Sequence, residues 1–186
     1  PIINGLTDYC HPCQVLADLM TIREYNKRLE GLKMCYIGDG NNMANSLIVG
    51  GLKMGMEVAV ATPKDYKPHE NVLAFAAKEV EKGAQFTLTE IPEEAACGAD
   101  VLFTDVWASM GQEDEAEKRK KDFAGFMIND EIMSTANKGA MVQHCLPAHR
   151  GEEISESVFE AHAEEIFEEA ENRLHAQKAV MVKLMK

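Results

Sequence analysis

The sequence predicts an α/β fold of three layers: a doubly wound parallel sheet of about five strands with helices on both faces. Short apolar runs typical of buried strands alternate with longer segments whose apolar residues recur at helical spacing. Three polar strings each follow such a run, namely Gly38–Asn42, Asp105–Gly111 and His144–Pro147. Because the carboxyl ends of parallel strands meet at one edge of a sheet, we expect these strings to line a shared crevice.

The first half of the chain is predicted to begin with a helix over 12–26. Proline at position 12 suits a first helical turn, and apolar residues follow at helical spacing. A helix stopped by Gly83 is expected to precede the third strand. The predicted strands of this half are 33–37, 57–61 and 84–88, and the helices between them are 43–54 and 69–82.

The second half continues the alternation. The predicted strands are 100–104 and 140–143, and the predicted helices are 92–96, 129–136, 155–161 and 168–185. In the last helix we expect Leu174, Val180 and Leu184 to form the apolar face. Segment 107–121 is predicted to be a long polar loop, and its length indicates a functional loop rather than a simple connection.

Composition excludes several classes of protein. The 186 residues are 46% hydrophobic and 27% charged, which is typical of a globular protein, and the net charge of −12 argues against nucleic acid or an anionic membrane as partner. No apolar stretch approaches membrane-spanning length. Five cysteines, an odd number, disfavour a disulfide scaffold and fit a reducing cytoplasm. Nine glutamates within 151–171 are interpreted as a solvated helical face.

The string Gly38–Asn42 is only partly like a dinucleotide-binding fingerprint. The position of the third glycine is Met43, which disfavours a nicotinamide cofactor. The asparagine pair at the start of the next helix instead suits a carboxylate or a phosphate. Asp105, at the end of another strand, is either a turn or cap residue or a ligand for an ammonium group.

Two cysteine-containing strings have several interpretations. Cys145 is either a small core residue or a nucleophile, but adjacent strand residues point to opposite faces, so His144 is poorly placed to activate it. The string Cys10–Cys13 has a CxxC spacing, yet a zinc site needs two further ligands and none stands out. We favour His11 and Gln14, at the start of the first helix, as donors to a carbonyl oxygen of a ligand.

Taken together, these strings resemble those of a known enzyme family. The chain resembles the ornithine carbamoyltransferases of the aspartate/ornithine carbamoyltransferase superfamily over nearly its whole length. Any one string is weak, but five in order with sensible gaps make a strong match. They are His11-Pro12-Cys13-Gln14, Gly38–Asn42, Asp105 with Ser109-Met110-Gly111, His144–Pro147 and Glu171-Asn172-Arg173.

The resemblance implies the second half of a two-domain enzyme. Residues 1–30 would form an interdomain helix region, 31–165 an L-ornithine-binding α/β domain, and 166–186 a terminal helix returning to an absent carbamoyl phosphate domain. The family's Ser-Thr-Arg-Thr phosphate loop has no counterpart in this sequence. We therefore expect a preceding segment to be missing, and the 186-residue chain alone to be inactive.

The resemblance also assigns roles to individual residues. It implies transfer of a carbamoyl group from carbamoyl phosphate to the side-chain amine of L-ornithine, in a cytoplasmic homotrimer with no metal or cofactor. It makes Asp105, Cys145 and His11 catalytic. Ornithine is expected to bind Asn42, Asp105, Ser109 and Met110, and carbamoyl phosphate to bind His11, Pro12, Gln14, Cys145, Leu146 and Arg173. Another amine such as putrescine, a non-catalytic amino-acid-binding fragment, and an anabolic or a catabolic role all remain open.

Overall fold

The core of the protein is one parallel sheet, seen in a computed structural model that describes residues 2–108 and 115–185. Its strands are β1 (Lys33–Ile37), β2 (Glu57–Ala61), β3 (Phe86–Thr89), β4 (Val101–Thr104) and β5 (Met141–His144). All are parallel, in the order β3-β2-β1-β4-β5. The strand order reverses between β1 and β4, and in open α/β sheets a crevice for ligands forms at that switch point.

Helices connect the strands and cover both faces of the sheet. They are α1 (Pro12–Asn26), α2 (Asn42–Lys53), α3 (Glu70–Val80), α4 (Pro92–Ala96), α5 (Ala116–Asp122), α6 (Asp130–Thr135), α7 (Glu156–Ala161) and α8 (Ala163–Leu184). The first and last of them, α1 and α8, pack along each other, and α8 also packs on β5. The first and last helices therefore lie together beside the β5 edge of the sheet.

Alternation along the strands divides the core into two layers. In β1, Met34 and Tyr36 belong to one buried cluster with residues of α1, α2 and α3. Cys35 and Ile37 belong to a second cluster with residues from α4, α6, α7 and α8. Because successive side chains of a strand point to opposite faces, a nearly continuous apolar run buries both faces of the sheet. The predicted three-layer fold is confirmed.

The strand and helix predictions are confirmed to within about two residues at most boundaries, with two exceptions. The segment predicted as a loop over 107–121 contains α5. Helix α8 begins at Ala163, five residues before the prediction, and of its predicted apolar face only Val180 is half-buried. Leu174 and Leu184 are 58% and 54% exposed, whereas the buried positions of α8 include Glu169 and Asn172.

The acidic segment 151–171 also differs from its interpretation as a solvated face. Glu153 and Glu169 are completely buried, so two of these carboxyl groups have partners inside the protein. Within the described residues, no helix combines the length and the apolar character that crossing a membrane requires.

Candidate functional site

Three polar side chains meet where β1, β4 and β5 end. Asn41 Nδ2 donates to Asp105 Oδ2 at 2.8 Å, and the Cys145 thiol lies 3.1 Å from Asp105 Oδ1. Each residue follows a different strand, and β4 lies between β1 and β5 in the sheet. The sheet topology therefore brings together residues that are up to about a hundred positions apart. We call these three residues the strand-end cluster.

Asn41 holds the N-terminus of α2 and the Asp105 carboxylate at the same time. Its Oδ1 accepts from the backbone N–H groups of Met43 (2.9 Å) and Ala44 (3.3 Å), which is the geometry of a helix N-cap. Its amide nitrogen is thereby turned towards Asp105. The loop before it requires glycine, because a Cβ on Gly40 would overlap the backbone of segment 66–68.

Asp105 is a buried carboxylate set among neutral donors. In addition to Asn41 and Cys145, the backbone N–H of Val106 donates to its Oδ1 at 2.8 Å. No cationic side chain among residues 2–108 and 115–185 forms an ion pair with it. A buried carboxylate without such a partner attracts a positively charged ligand, such as an alkylammonium group.

Cys145 is a thiol donor rather than a thiolate nucleophile. Burial raises its pKa well above the ordinary value, and the neighbouring charge of Asp105 raises it further. His144 does not activate it. Its Nδ1 accepts from Leu146 N at 2.9 Å, which leaves the ring proton on Nε2, 3.1 Å from Glu153 Oε1. The expectation that His144 is poorly placed to deprotonate Cys145 is confirmed.

An ion pair missed by the sequence analysis closes another side of the crevice. Arg119 Nη1, on α5, lies 2.6 Å from Asp39 Oδ2, and both side chains are largely buried. The same nitrogen donates to the Trp107 carbonyl at 2.9 Å. Burial raises the pKa of Asp39, although Arg119 opposes that shift. Arg119 lies in a mixed run of charges, and nothing in that run distinguishes it from its exposed neighbours.

The side of the crevice formed by the start of α1 contains His11. Its backbone N–H donates to Ser46 Oγ on α2 at 2.7 Å, and its Nδ1 lies 2.9 Å from the Gly5 carbonyl. Burial lowers the pKa of His11, and the charge of Arg173 lowers it further, so the ring is neutral at pH 7. Because Nδ1 must donate to Gly5, the free Nε2 is an acceptor.

Gln14 also presents an acceptor. Its Nε2 donates to Asp18 Oδ1 at 2.8 Å and to Glu169 Oε1 at 3.0 Å, which uses both amide hydrogens. Its Oε1 accepts from Arg173 Nη1. In this structure His11 and Gln14 therefore present acceptors and Arg173 is the nearby donor, and the expectation that His11 and Gln14 donate to a carbonyl oxygen of a ligand stays a prediction.

The remaining predicted residues have the following positions. Asn42 is the first residue of α2 and donates from Nδ2 to the Thr7 carbonyl at 2.8 Å, so it is Asn41 and not Asn42 that contacts Asp105. Pro12 begins α1, and Leu146 follows Cys145 at the strand end. Ser109 and Met110 lie outside the described residues. The ligand roles of all the predicted residues stay predictions.

Comparison with protein families shows to which family the chain is related. The family described as "Aspartate/ornithine carbamoyltransferase, Asp/Orn binding domain" matches residues 30–184, which is most of the chain.

The chain belongs to this family.

Individual relatives agree with the assignment to the aspartate/ornithine carbamoyltransferase family. An ornithine carbamoyltransferase of Carboxydothermus hydrogenoformans is 53% identical over 186 residues, which is 100% of this chain and 60% of the relative. The ornithine carbamoyltransferase structure from Pyrococcus furiosus has a TM-score of 0.90 at 50% identity, covering 97% of this chain and 58% of that one. The crystal structure of the anabolic ornithine carbamoyltransferase from Campylobacter jejuni has a TM-score of 0.94 at 48% sequence identity. The match covers 99% of this chain and 61% of that one. The chain therefore spans about 60% of the length of these relatives.

Proposed function

We propose that this chain is the ornithine-binding part of an ornithine carbamoyltransferase, which converts L-ornithine and carbamoyl phosphate to L-citrulline and phosphate. The observation that carries the proposal is the bonded strand-end cluster at the switch point of the sheet. Its carboxylate, which has no cationic partner among residues 2–108 and 115–185, suits an amine substrate. The family assignment and the relatives that are named ornithine carbamoyltransferases support it.

On the ornithine side, Asp105 is proposed to attract the positively charged substrate. Asn42, Ser109 and Met110 are proposed to bind the amino-acid end of ornithine, with the N-terminus of α2 favouring its carboxylate. The side-chain amine attacks only when neutral, although a free alkylammonium titrates near pH ~10. Asp105 accepts the amine's proton in this scheme, the neutral Cys145 thiol beside it orients the carboxylate and relays the proton, and the leaving phosphate takes it up.

On the carbamoyl phosphate side, the acceptors and the donor have different targets. Gln14 Oε1 and the free Nε2 of His11 suit the NH₂ group of a carbamoyl moiety, because that group only donates. Arg173 suits its carbonyl oxygen, where negative charge develops as the amine attacks. Pro12 sets the turn that presents His11, and Cys145 with Leu146 completes the floor of the site.

The whole reaction needs more than this chain. In this proposal the part of the relatives' length that lies outside the match supplies the phosphate-binding loop. Residues 1–30 and 166–186 connect the ornithine domain, 31–165, to that missing part. The complete enzyme is proposed to be a cytoplasmic homotrimer, and the free state of all five cysteines fits a reducing compartment.

An amine-competition assay on the complete enzyme tests the substrate. We expect citrulline formation from ornithine to exceed carbamoylation of putrescine or an acylated ornithine by at least about tenfold, since only ornithine has both a carboxylate and a free α-ammonium. A faster reaction with putrescine would replace ornithine by that amine. The 186-residue chain alone should form no citrulline, while calorimetry would detect ornithine binding if the chain works only as a binding module.

A further inference from the structure

Two completely buried carboxyl groups lie beneath Gln14, and the proposed reaction gives neither a role. Asp18 is on α1 and Glu169 is on α8, and an oxygen of each accepts a hydrogen bond from the same Gln14 Nε2, at 2.8 Å and 3.0 Å. Two ionised carboxylates so close together, away from water, repel each other and lose their hydration. A single proton held between them removes both penalties. We call Gln14, Asp18, Glu169 and Arg173 the helix-pair cluster.

The hydrogen bonds around the pair leave one place for that proton. Glu169 Oε2 accepts from the backbone N–H of His144 at 2.9 Å, and Glu169 Oε1 accepts from Gln14. Asp18 Oδ1 also accepts from Gln14. Within the described residues, Asp18 Oδ2 is buried and has no other partner. A proton held between this oxygen and Glu169 would satisfy it.

We propose that Asp18 and Glu169 share one proton, and that through this proton they act as positioning residues for Gln14 and Arg173. The inference rests on the proposed function, because the site they position is the carbamoyl phosphate side. The pair presents two acceptor oxygens to one amide, so Gln14 can turn only its NH₂ group towards them. Its Oε1 is thereby directed to Arg173. The same shared proton joins α1 to α8.

The ionisable groups facing the pair come from α8 and β5, and one of them, Arg173, is charged. From α8 the guanidinium of Arg173 favours ionisation of Asp18. From β5 the thiol of Cys145 adds no charge, and the ring of His144 is turned to Glu153. Burial outweighs these effects and raises the pKa of Asp18 to about 7 and that of Glu169 well above its usual range. The pair therefore keeps a proton in mild acid and at neutral pH, and loses it only as the pH rises further.

Loss of the proton has a predictable consequence. Two charges then face each other between α1 and α8, and the helices must separate or admit water. Arg173 moves away from Gln14, and the carbamoyl end of the site loses its geometry. Ornithine, which binds at the ends of β1 and β4, is affected less.

Infrared spectroscopy of the complete enzyme detects the proton directly. We expect a protonated-carboxyl carbonyl band at pH 6 that disappears as the pH is raised through the pKa of the pair. Asp18→Asn and Glu169→Gln should each remove the band, whereas Glu164→Gln, an exposed change of the same kind on α8, should leave it. Absence of the band in the unmodified enzyme at pH 6 would overturn the proposal, whatever the enzyme's substrate is.

Steady-state kinetics tests the positioning role. The KM for carbamoyl phosphate should rise by about tenfold per pH unit above the pKa of the pair, while the KM for ornithine does not follow it. Asp18→Asn should flatten this profile, because its amide NH₂ donates to Glu169 in place of the proton at every pH. Glu169→Gln provides the same test if Asp18→Asn does not fold. A band that titrates while the KM for carbamoyl phosphate stays constant would refute the positioning role.

Discussion

The strand-end cluster and the helix-pair cluster lie on adjoining sides of one crevice but are assembled differently. Each member of the strand-end cluster lies within four residues of a strand end, and the parallel sheet brings those ends together. The helix-pair cluster joins α1 to α8, and its Gln14 and Arg173 are 159 positions apart. Its geometry depends on how two helices pack, and sheet register does not constrain it.

The two clusters also treat buried charge differently. The strand-end cluster surrounds one carboxylate with neutral donors and leaves it able to attract a cation. The helix-pair cluster places two carboxyl groups and one guanidinium on a single amide. The comparison suggests that the first cluster selects a charged substrate, whereas the second holds a neutral group in one orientation. Three predictions test whether the two clusters have these different roles.

The largest effect is expected from Asp105→Asn in the complete enzyme. The substitution keeps the shape of the side chain but removes the charge that attracts the amine and accepts its proton. We expect kcat for citrulline formation to fall by about 10²- to 10⁴-fold, measured in a steady-state assay. Asp65→Asn, the same change at an exposed position, is the control and should stay close to the unmodified rate. A nearly normal rate for Asp105→Asn would remove this residue from the mechanism.

An intermediate effect is expected on the pH dependence of stability. The pKa of Asp18 is about 7 in the folded protein and ~3.9 when unfolded, so the folded state binds more protons between these values. The free energy of unfolding should therefore decrease as the pH rises from ~4 to ~7, with a slope on the order of 1 kcal/mol per pH unit from this group. Urea titrations of Asp18→Asn should lack this contribution, with Glu164→Gln as the control. An Asp18→Asn variant with the slope of the unmodified protein would contradict the buried proton.

The smallest expected effect is on the free energy of unfolding, and it distinguishes the two adjacent asparagines, Asn41 and Asn42. Asn41→Ala removes the N-cap of α2 and the bond to Asp105, and it should lower the free energy of unfolding by about 1 kcal/mol. Asn42→Ala removes one bond to the Thr7 carbonyl near the surface and should cost less. Thermal or urea unfolding of both variants measures the difference. An equal or larger cost for Asn42→Ala would mean that the Asn41 cap is not what holds α2 in place.

Hydrophobic periodicity predicted the layers of the fold and nearly all of its strands and helices, because a strand or helix that is buried on one face or on both has a matching spacing of apolar residues. It also predicted that Asp105 and Cys145 meet, since parallel strands end at the same edge. The α8 prediction was wrong where packing reversed the pattern: Leu174 is exposed, and Glu169 is buried against partners on α1 and β5.

The order of the strands within the sheet came from the tertiary structure, whereas local sequence specified the succession of strands and helices along the chain, the turns that end the strands and the residue types at those ends. It held no information on which asparagine of the pair reaches Asp105, on the partner of Arg119, or on the contact between Asp18 and Glu169. These depend on distances between segments far apart in the chain. A buried charge and a solvated one have the same letter in the sequence, and only the packed structure distinguishes them.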